Sequence, residues 1–139
     1  MVQQTVADVM TPAPTTIGMS DTLETAARTM AAQDVGALVV KAGDTTIGIV
    51  TDRDLVIRGL AEGLGLEAMV GEVASEELIS IGPGVPVEVA VEMMRVAAVR
   101  RIPVMEGDEP VGIVSIGDLA VEHDPVSALA DISEARPND

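Results

Sequence analysis

Two short motifs in this chain combine the residue types that recognise a phosphorylated or hydroxylated small molecule. One motif ends in Thr51 and Asp54 and the other in Ser115 and Asp118, and in both a glycine and two aliphatic residues precede the hydroxyl residue. The aliphatic run predicts a strand that turns directly into a helix, where the first backbone N–H groups are free to donate. Such N–H groups bind anions, and a carboxylate beside them can accept from the paired hydroxyls of a ribose. The pattern therefore fits a nucleoside phosphate.

A purely structural explanation of the same residues stays open. A threonine or serine followed three positions later by an acidic residue also has the spacing of a capping box, in which the two side chains satisfy the donors at a helix end. Recurrence at two places does not decide between the explanations, because a duplicated cap would also recur.

The overall charge argues against nucleic acid as a partner. The chain has 23 acidic and 8 basic residues and a formal net charge of −15, whereas nucleic-acid binding depends on neutralising phosphates with Lys and Arg. The few arginines are nevertheless clustered, since Arg53 and Arg58 lie in or just after the first motif and Arg95, Arg100 and Arg101 shortly before the second. In a chain this acidic, the clustering indicates a small anionic ligand.

The remaining residue types disfavour catalysis and metal binding. The chain has no cysteine, which rules out disulfides and thiolate metal sites, and the lone His123 cannot build a zinc site. His123, Asp124 and Ser127 crowd one short stretch instead of converging from separate elements. We therefore predict that the protein is not an enzyme.

The apolar content predicts an aliphatic core and a cytoplasmic protein. Hydrophobic residues make up 47% of the 139 residues, yet Phe, Tyr and Trp are absent, so Val, Ile, Leu, Ala and Met must fill the core. No apolar run approaches the length of a membrane span, and the N-terminus lacks a basic-then-apolar signal pattern. We expect no membrane association and a location in the cytoplasm.

The motifs belong to an internal repeat, since residues 6–58 align with residues 70–122 without a gap. A repeat unit that cannot bury its own apolar face needs its partner to fold. In each copy a strand precedes a helix, and a hairpin of two β-rich runs then leads into a final helix. The predicted hairpin runs are residues 37–41, 46–51, 101–105 and 111–115, and the predicted final helices are residues 52–61 and 116–122.

The central helix of each copy carries an apolar stripe. In the first copy Asp21 and Glu24 resemble a capping box, and in the second copy Pro86 suits a first helical turn. The second helix also has apolar residues outside its stripe, namely Val89, Met93, Val96 and Ala97. They either pack within the repeat pair or form a homodimer seam, and both explanations stay open.

Several segments together resemble the cystathionine-β-synthase (CBS) domain family, in the tandem form called a Bateman module. The resemblance is carried by residues 8–11 (Asp-Val-Met-Thr), 51–54 (Thr-Asp-Arg-Asp) and 99–104 (Val-Arg-Arg-Ile-Pro-Val), together with the helix stripes and hairpins. It implies an α/β (α+β) fold of two β-α-β-β-α repeats packed through their sheets with pseudo-two-fold symmetry. The implied divisions are a first CBS repeat at residues 1–66, a second at residues 67–124, and a C-terminal helix and tail at residues 125–139, with the helix over residues 126–135.

The resemblance also implies a ligand and the residues that contact it. In this family the clefts between the repeats bind adenine nucleotides or S-adenosylmethionine. By position, Asp54 and Asp118 would hold the ribose hydroxyls, with Thr51 and Ser115 beside them. Backbone and aliphatic groups of Thr16, Ile17, Ser80 and Ile81 would meet the base. The remaining candidate ligand contacts are Arg53, Ala37, Arg100, Arg101, Ile102 and Pro103.

One asymmetry between the repeats distinguishes the two implied clefts. Arg101 matches a position where related modules place a phosphate-binding basic residue, and Arg100 lies beside it, whereas the equivalent positions of the first repeat carry no charge. We therefore expect the Asp118 cleft to favour a phosphorylated ligand, while the Asp54 cleft would rely on Arg53, bind a less charged ligand or stay empty. Alternatively, Arg100 and Arg101 form exposed ion pairs, which contribute little.

The predicted function is a non-enzymatic regulatory module that senses AMP, ADP, ATP or S-adenosylmethionine. As modules of this family commonly associate in pairs, we expect a disk-like homodimer that changes its association with a further protein. The alternative is a constitutive homodimerising scaffold without a small-molecule ligand, in which the junction residues are only caps. No cofactor is required in either case, and magnesium is expected only together with ATP.

Overall fold

The computed structural model describes residues 4–75 and 79–123. The chain divides into two compact units. The first-repeat unit spans Thr15–Leu78, and the second-repeat unit joins Met1–Pro14 to Ile79–Asp139. The helix predicted over residues 126–135, like the whole of the predicted C-terminal region 125–139, lies outside the described residues.

The predicted α/β class is confirmed by two small sheets and their helices. The helices are α1 (Val6–Val9), α2 (Leu23–Gln33), α3 (Asp52–Asp54), α4 (Val87–Ala97) and α5 (Ile116–His123). The strands are β1 (Thr11–Pro12), β2 (Thr16–Gly18), β3 (Ala37–Ala42), β4 (Thr45–Thr51), β5 (Arg101–Glu106) and β6 (Glu109–Ser115). Across the part of the chain that the structure describes, no helix is long and apolar enough to cross a membrane.

The sheet of the first-repeat unit has the order β2-β3-β4. Strand β2 runs parallel to β3, with Thr16 opposite Val39, and β3 forms an antiparallel hairpin with β4. The hairpin turns at Gly43, whose φ of +62° is a left-handed conformation that glycine adopts without strain. The free edge of β4 is covered by an antiparallel bridge between Ile49 and Ser75.

The second-repeat unit has a similar sheet, but one of its strands, β1, comes from the N-terminal segment of the chain. Its sheet has the order β1-β6-β5, with Thr11 of β1 opposite Ile113 of β6. A parallel bridge between Ile81 and Val104 occupies the place that β2 has in the other unit. Because β1 comes from the N-terminus and pairs with the second hairpin, the compact units and the sequence repeats divide the chain differently.

The cap of α2 differs from the one that the sequence predicts. Thr22 is the N-cap, and its hydroxyl accepts from the Thr25 N–H at 3.1 Å. The carboxylate of Asp21 instead accepts from the Gly18 N–H at 2.8 Å, in the turn after β2. The predicted capping box of Asp21 and Glu24 is therefore wrong, because a hydroxyl one residue later already satisfies the helix end.

Helix α4 has buried apolar residues at the same spacing as α2. It buries Val87, Ala90 and Met94 on one side, as the stripe predicts. Pro86 lies just before the helix as its N-cap instead of in the first turn. Ala98 ends the helix in a left-handed conformation with a φ of +57°.

The segment after β4 is helical but irregular. Helix α3 continues as a π-helical stretch over Leu55–Gly59 and a 3₁₀ turn over Leu60–Glu62. A β-carbon on Gly59 would lie 3.0 Å from Cδ1 of Leu23, so the stretch approaches α2 closely. The helix predicted over residues 52–61 is therefore present, but its hydrogen bonding changes from α to π to 3₁₀ along the segment. Helix α5 extends its predicted range by one residue.

Each unit has an aliphatic core, as the absence of aromatic residues requires. The core of the first-repeat unit includes Leu38, Val40, Val50, Val70 and Val73. The core of the second-repeat unit includes Val6, Ile102, Val104, Val114 and Leu119. Both cores therefore depend on packing between small branched side chains.

One polar side chain of the first-repeat unit is buried without a hydrogen-bond partner among the described residues. Thr46 is only 5% exposed, and its hydroxyl has no hydrogen-bond partner within the described residues. We expect Thr46→Val to raise the free energy of unfolding by about 1 kcal/mol, because valine keeps the shape and removes an unsatisfied hydroxyl. Chemical denaturation followed by circular dichroism measures this, with Thr45→Val at the exposed neighbouring position as the control. A loss of stability in Thr46→Val would contradict the prediction.

Candidate functional site

The first junction motif is a complete capping box. Thr51 is the last residue of β4 and lies opposite Ala37 in the hairpin. Its N–H donates to Oδ2 of Asp54 at 2.9 Å, and its hydroxyl accepts from the Asp54 N–H at 3.1 Å. The strand therefore passes into the helix through two reciprocal hydrogen bonds, with both side chains half-buried.

The second junction motif has the same geometry. Ser115 ends β6 and lies opposite Arg101. Its N–H donates to Oδ2 of Asp118 at 2.9 Å, and its hydroxyl accepts from the Asp118 N–H at 3.2 Å. The structural explanation of both motifs is thus confirmed as far as capping is concerned.

Capping leaves part of each carboxylate available. In both junctions the cap uses Oδ2, and Oδ1 of Asp54 and of Asp118 has no hydrogen-bond partner among residues 4–75 and 79–123. A carboxylate can accept about four hydrogen bonds through its two oxygens. The cap and a pair of ligand hydroxyls can therefore share one aspartate, so the two explanations do not exclude each other.

The residues predicted to meet a base lie at the start of each sheet. Thr16 and Ser80 are exposed, whereas Ile17 and Ile81 are 6% exposed and belong to the core. The Ile81 N–H donates to the Pro103 carbonyl at 3.2 Å, which ties this position to β5. Any contact of the two isoleucines with a ligand would come from backbone atoms or a small exposed part of the side chain.

The hairpin residues beside the junctions differ between the units. Ile102 is fully buried and Pro103 is also buried, so β5 offers few side-chain atoms to a ligand at these positions. Arg101 is half-buried and Arg100 is exposed, while Ala37 is the uncharged equivalent of Arg101. The Arg100 carbonyl accepts from the N–H of Ile116 at 2.8 Å, which fixes the arginine pair beside the start of α5.

The candidate arginines form no ion pair with any residue in the ranges 4–75 and 79–123. In the described part of the chain, the ion pairs join Arg28 to Glu24 and Arg95 to Glu92, and the side chains of Arg53, Arg100 and Arg101 form none. Among the described residues, Arg100 and Arg101 therefore have no ion-pair partner, and the alternative that they form exposed ion pairs stays a prediction.

The structure thus divides the candidates into two sets, one in each unit. The first-repeat set consists of Thr16, Ile17, Ala37, Thr51, Arg53 and Asp54. The second-repeat set consists of Ser80, Ile81, Arg100, Arg101, Ile102, Pro103, Ser115 and Asp118. Each set contains one aspartate that takes part in a helix cap, Asp54 or Asp118. Only the second-repeat set contains the arginine pair, as the sequence indicates.

The cap of the second junction is expected to stabilise the fold. We expect Ser115→Ala to lower the free energy of unfolding by about 1 kcal/mol, because it removes the acceptor for the Asp118 N–H at the helix end. Thermal unfolding followed by circular dichroism measures the change. Ser80→Ala, at an exposed position of the same unit, is the control. Equal stability of both variants would show that the observed hydrogen bond does not stabilise the junction.

Comparisons with known proteins agree with the repeat. The family model described as CBS domain matches residues 6–59 and 70–132. The chain is 37% identical over 132 residues to the CBS domain-containing protein YhcV of Bacillus subtilis, covering 92% of this chain and 94% of that protein. It is 35% identical to hypoxic response protein 1 of Mycobacterium tuberculosis, covering 94% and 92%.

Solved structures share the fold. Hypoxic Response Protein I, solved with two coordinated zinc ions, matches with a TM-score of 0.74 and 36% identity, covering 84% of this chain and 97% of that chain. A hexameric CBS-CP12 protein from bloom-forming cyanobacteria matches with a TM-score of 0.80 and 26% identity, covering 88% and 74%.

The zinc ions of that relative do not fit the residues of this chain. Zinc sites in proteins are built mainly from cysteine and histidine. This chain has no cysteine and one histidine, and among the described residues no group of His, Asp and Glu could hold a metal ion.

Proposed function

The chain belongs to the CBS domain family as a tandem pair of the regulatory kind, and from this premise we propose that it senses an adenosine-type ligand through its junction motifs. The proposed ligands are AMP, ADP, ATP or S-adenosylmethionine. The names of the relatives carry no enzymatic activity, and the proposed role is non-enzymatic.

The second junction is the observation that carries the proposal. It combines the uncommitted oxygen of Asp118 with the half-buried Arg101, whose backbone lies opposite Ser115. A ribose needs a carboxylate acceptor and a phosphate needs a cation, and a guanidinium can supply two parallel hydrogen bonds to phosphate oxygens. Arg101 begins β5, and Asp118 lies in the first turn of α5, directly after the neighbouring strand β6, which supports recognition of a single small molecule.

The first junction is less suited to a phosphorylated ligand than the second. It has the same carboxylate geometry at Asp54 but an alanine in place of Arg101, and its remaining cation, Arg53, is exposed. An exposed arginine is well hydrated and interacts weakly with a phosphate. We therefore propose that the second-repeat unit binds the phosphorylated ligand more tightly.

Regulation requires that the ligand change the association of the protein with another chain. We propose a homodimer whose affinity for a partner protein differs between the ligand-bound and ligand-free states, because only a ligand with different affinities for two states can shift their equilibrium. The hexameric CBS-CP12 relative is an assembly of several chains, which supports association of this kind.

Isothermal titration calorimetry with AMP, ADP, ATP and S-adenosylmethionine tests the proposal. The chain has no Trp and no Tyr, so intrinsic fluorescence would carry no signal. We expect heat with at least one ligand and a large loss of affinity in Asp118→Asn, because asparagine keeps a capping acceptor but loses the charge. The matched control is Asp8→Asn, since Asp8 accepts from the Thr5 N–H in an equivalent capping box of α1 at 2.8 Å.

The titration also separates sensing from scaffolding. Absence of heat and of any shift in melting temperature at about 1 mM of every ligand would contradict sensing and favour the constitutive scaffold. Equal losses in Asp118→Asn and Asp8→Asn would place the ligand elsewhere. Titration of ATP with and without magnesium tests whether the metal accompanies this ligand.

A further inference from the structure

An apolar patch is exposed on the first-repeat unit, where the segment that follows the 3₁₀ turn runs back along the start of α2. Backbone hydrogen bonds of 2.8–3.1 Å join the two segments at four points. In order, the N–H groups of Glu24, Leu23, Val70 and Gly71 pair with the carbonyls of Leu66, Ala68, Asp21 and Met19. Because this order is antiparallel, residues 19–24 and 66–72 form a short two-stranded ribbon, which we call the methionine ribbon.

The methionine ribbon exposes three large apolar side chains. Met19 is 40%, Leu66 is 55% and Met69 is 47% exposed, whereas Leu23 and Val70 of the same ribbon are buried. The two buried residues join the ribbon to the core of the first-repeat unit, so the exposed side chains have an ordered support. A methionine side chain adapts its shape to a partner, and its burial removes apolar surface from water. The patch therefore suits contact with apolar groups of another molecule.

The rim of this patch is acidic. The two segments of the methionine ribbon contain four carboxylates, all exposed, and no basic residue. Glu24 forms an ion pair with Arg28 of the next helical turn. The other three carboxylates, Asp21, Glu67 and Glu72, form no ion pair with any of residues 4–75 and 79–123. Such a rim repels anions and attracts cations.

Two other groups of exposed apolar residues lie beside arginines. Val56 and Ile57 are 51% and 44% exposed and lie between Arg53 and Arg58 in the chain. In α4, the exposed Val96 directly follows an arginine. The methionine ribbon instead combines its apolar side chains with carboxylates, so it favours a partner of positive charge.

We propose that the methionine ribbon is the surface on which the regulated partner protein docks, through a cationic amphipathic helix of that partner. A helix with large apolar residues on one side would cover Met19, Leu66 and Met69. Lys or Arg at the flanks of this helix would meet the three carboxylates that have no ion pair, and such charge pairs steer association and add specificity. The inference rests on the proposed regulatory function and adds the docking surface and the chemistry of the partner.

Charge disfavours the other occupants of the patch. A second copy placed on the same ribbon about a two-fold axis would bring identical carboxylates together. Residues 124–139 of the same chain contain four acidic residues and one arginine, so they carry the same sign as the rim. An anionic membrane surface would repel a chain with a net charge of −15.

NMR spectroscopy of the full chain with isotopically labelled methionine methyl groups locates the contact. The probe is a peptide of about 18 residues, roughly five helical turns, with leucine on one side and lysine on the other. We expect it to shift the methyl resonances of Met19 and Met69, whereas those of the buried Met30 and Met94 stay in place. A shift of Met93 in α4 without a shift of Met19 and Met69 would overturn the proposal.

Calorimetric titration with the same peptide measures the apolar contribution. We expect the double variant Met19→Ser with Met69→Ser to raise the dissociation constant at least about tenfold, because it removes apolar contact and keeps the net charge. The matched control is Val56→Ser with Ile57→Ser, which replaces two similarly exposed apolar residues of the same unit and is expected to leave the dissociation constant unchanged. Equal dissociation constants of the two double variants would overturn the proposed surface.

Glu67→Gln tests the electrostatic contribution. We expect it to raise the dissociation constant about threefold at low ionic strength and less at about 1 M salt, because salt screens exposed charges. Asp44→Asn, at the exposed hairpin turn of the same unit, changes the net charge equally and is the control. If both variants had the same effect, the peptide would respond to net charge and not to the rim. Binding of a peptide with glutamate in place of lysine would also contradict the proposal.

The outcomes separate this inference from the function on which it rests, since the methionine ribbon contains none of the junction candidates. Binding of the lysine peptide without binding of any adenosine-type ligand would keep the docking surface and assign it to a constitutive scaffold. Binding of such a ligand without binding of the lysine peptide would keep the sensing function and overturn the docking surface.

Discussion

Gly48→Ala is expected to lower the free energy of unfolding by about 3 kcal/mol. A β-carbon at this position of β4 would collide with the backbone carbonyl oxygen of Ser75. The neighbouring residue Ile49 accepts a hydrogen bond from the Ser75 N–H at 3.1 Å, so the two segments cannot separate without losing this bond. Since Val70 and Val73 of the same segment are fully buried, the displacement would also disturb the core of the first-repeat unit.

The equivalent glycine of the second repeat provides a graded comparison. A β-carbon on Gly112 would meet the thioether of Met10 and the Thr11 carbonyl oxygen, the latter at 2.9 Å. The methionine side chain can move away from the added β-carbon. The contact with the Thr11 backbone is also less severe than the backbone contact at Gly48. We expect Gly112→Ala to cost about 2 kcal/mol, less than Gly48→Ala.

Denaturant unfolding followed by circular dichroism measures both changes. The control is Gly65→Ala, because a β-carbon there has no atom within 4 Å in the described structure and the backbone is not left-handed. We expect this control to stay within about 0.5 kcal/mol of the wild type. If Gly48→Ala were as stable as Gly65→Ala, the close approach of Ser75 to β4 would be refuted.

Much of the fold can be predicted from the sequence because its signals are local and repeated. Apolar spacing identifies α2 and α4, and glycine between two β-rich runs identifies both hairpins to within two residues. The junction geometry is also predictable, since the hydroxyl and carboxylate of a capping box lie three residues apart in the chain.

Other features depend on contacts between residues far apart in the chain, and local sequence patterns do not predict them. Nothing local shows that β1 pairs with β6, because two residues of strand have no periodicity. The choice of Thr22 over Asp21 as the cap of α2 depends on the turn at Gly18, which gives the Asp21 carboxylate another donor. The π-helical stretch after α3 approaches Leu23 closely at Gly59, and this contact joins residues that are far apart in the sequence.

The candidate site was predictable in composition but not in exposure. The family resemblance pairs Asp118 with Arg101, and Arg101 lies opposite Ser115, the residue that caps the helix of Asp118. It also shows that Ile102 is fully buried in the core, a fact that depends on the whole unit and not on the motif. The contribution of each candidate to ligand binding stays a prediction, and Arg101 provides the sharpest test.

Arg101→Ala is expected to weaken AMP binding by about tenfold or more and to leave adenosine binding almost unchanged. A charge-assisted hydrogen bond to a phosphate contributes about 1.5 to 3 kcal/mol, which corresponds to a factor of roughly 10 to 150 in affinity. Adenosine lacks the phosphate, so its binding depends on the carboxylate and the base contacts. The ratio of the AMP and adenosine dissociation constants, measured by calorimetry, therefore isolates the contribution of the arginine.

Arg28→Ala is the matched control, because it removes one positive charge from an exposed ion pair with Glu24 and changes the net charge equally. If both variants weakened AMP binding to the same extent, the effect would come from the net charge and the proposed phosphate contact would be wrong.

Arg53→Ala tests the other junction. A larger loss in Arg53→Ala than in Arg101→Ala would place the phosphate in the first-repeat unit, because only the arginine that contacts the phosphate changes the affinity ratio between AMP and adenosine.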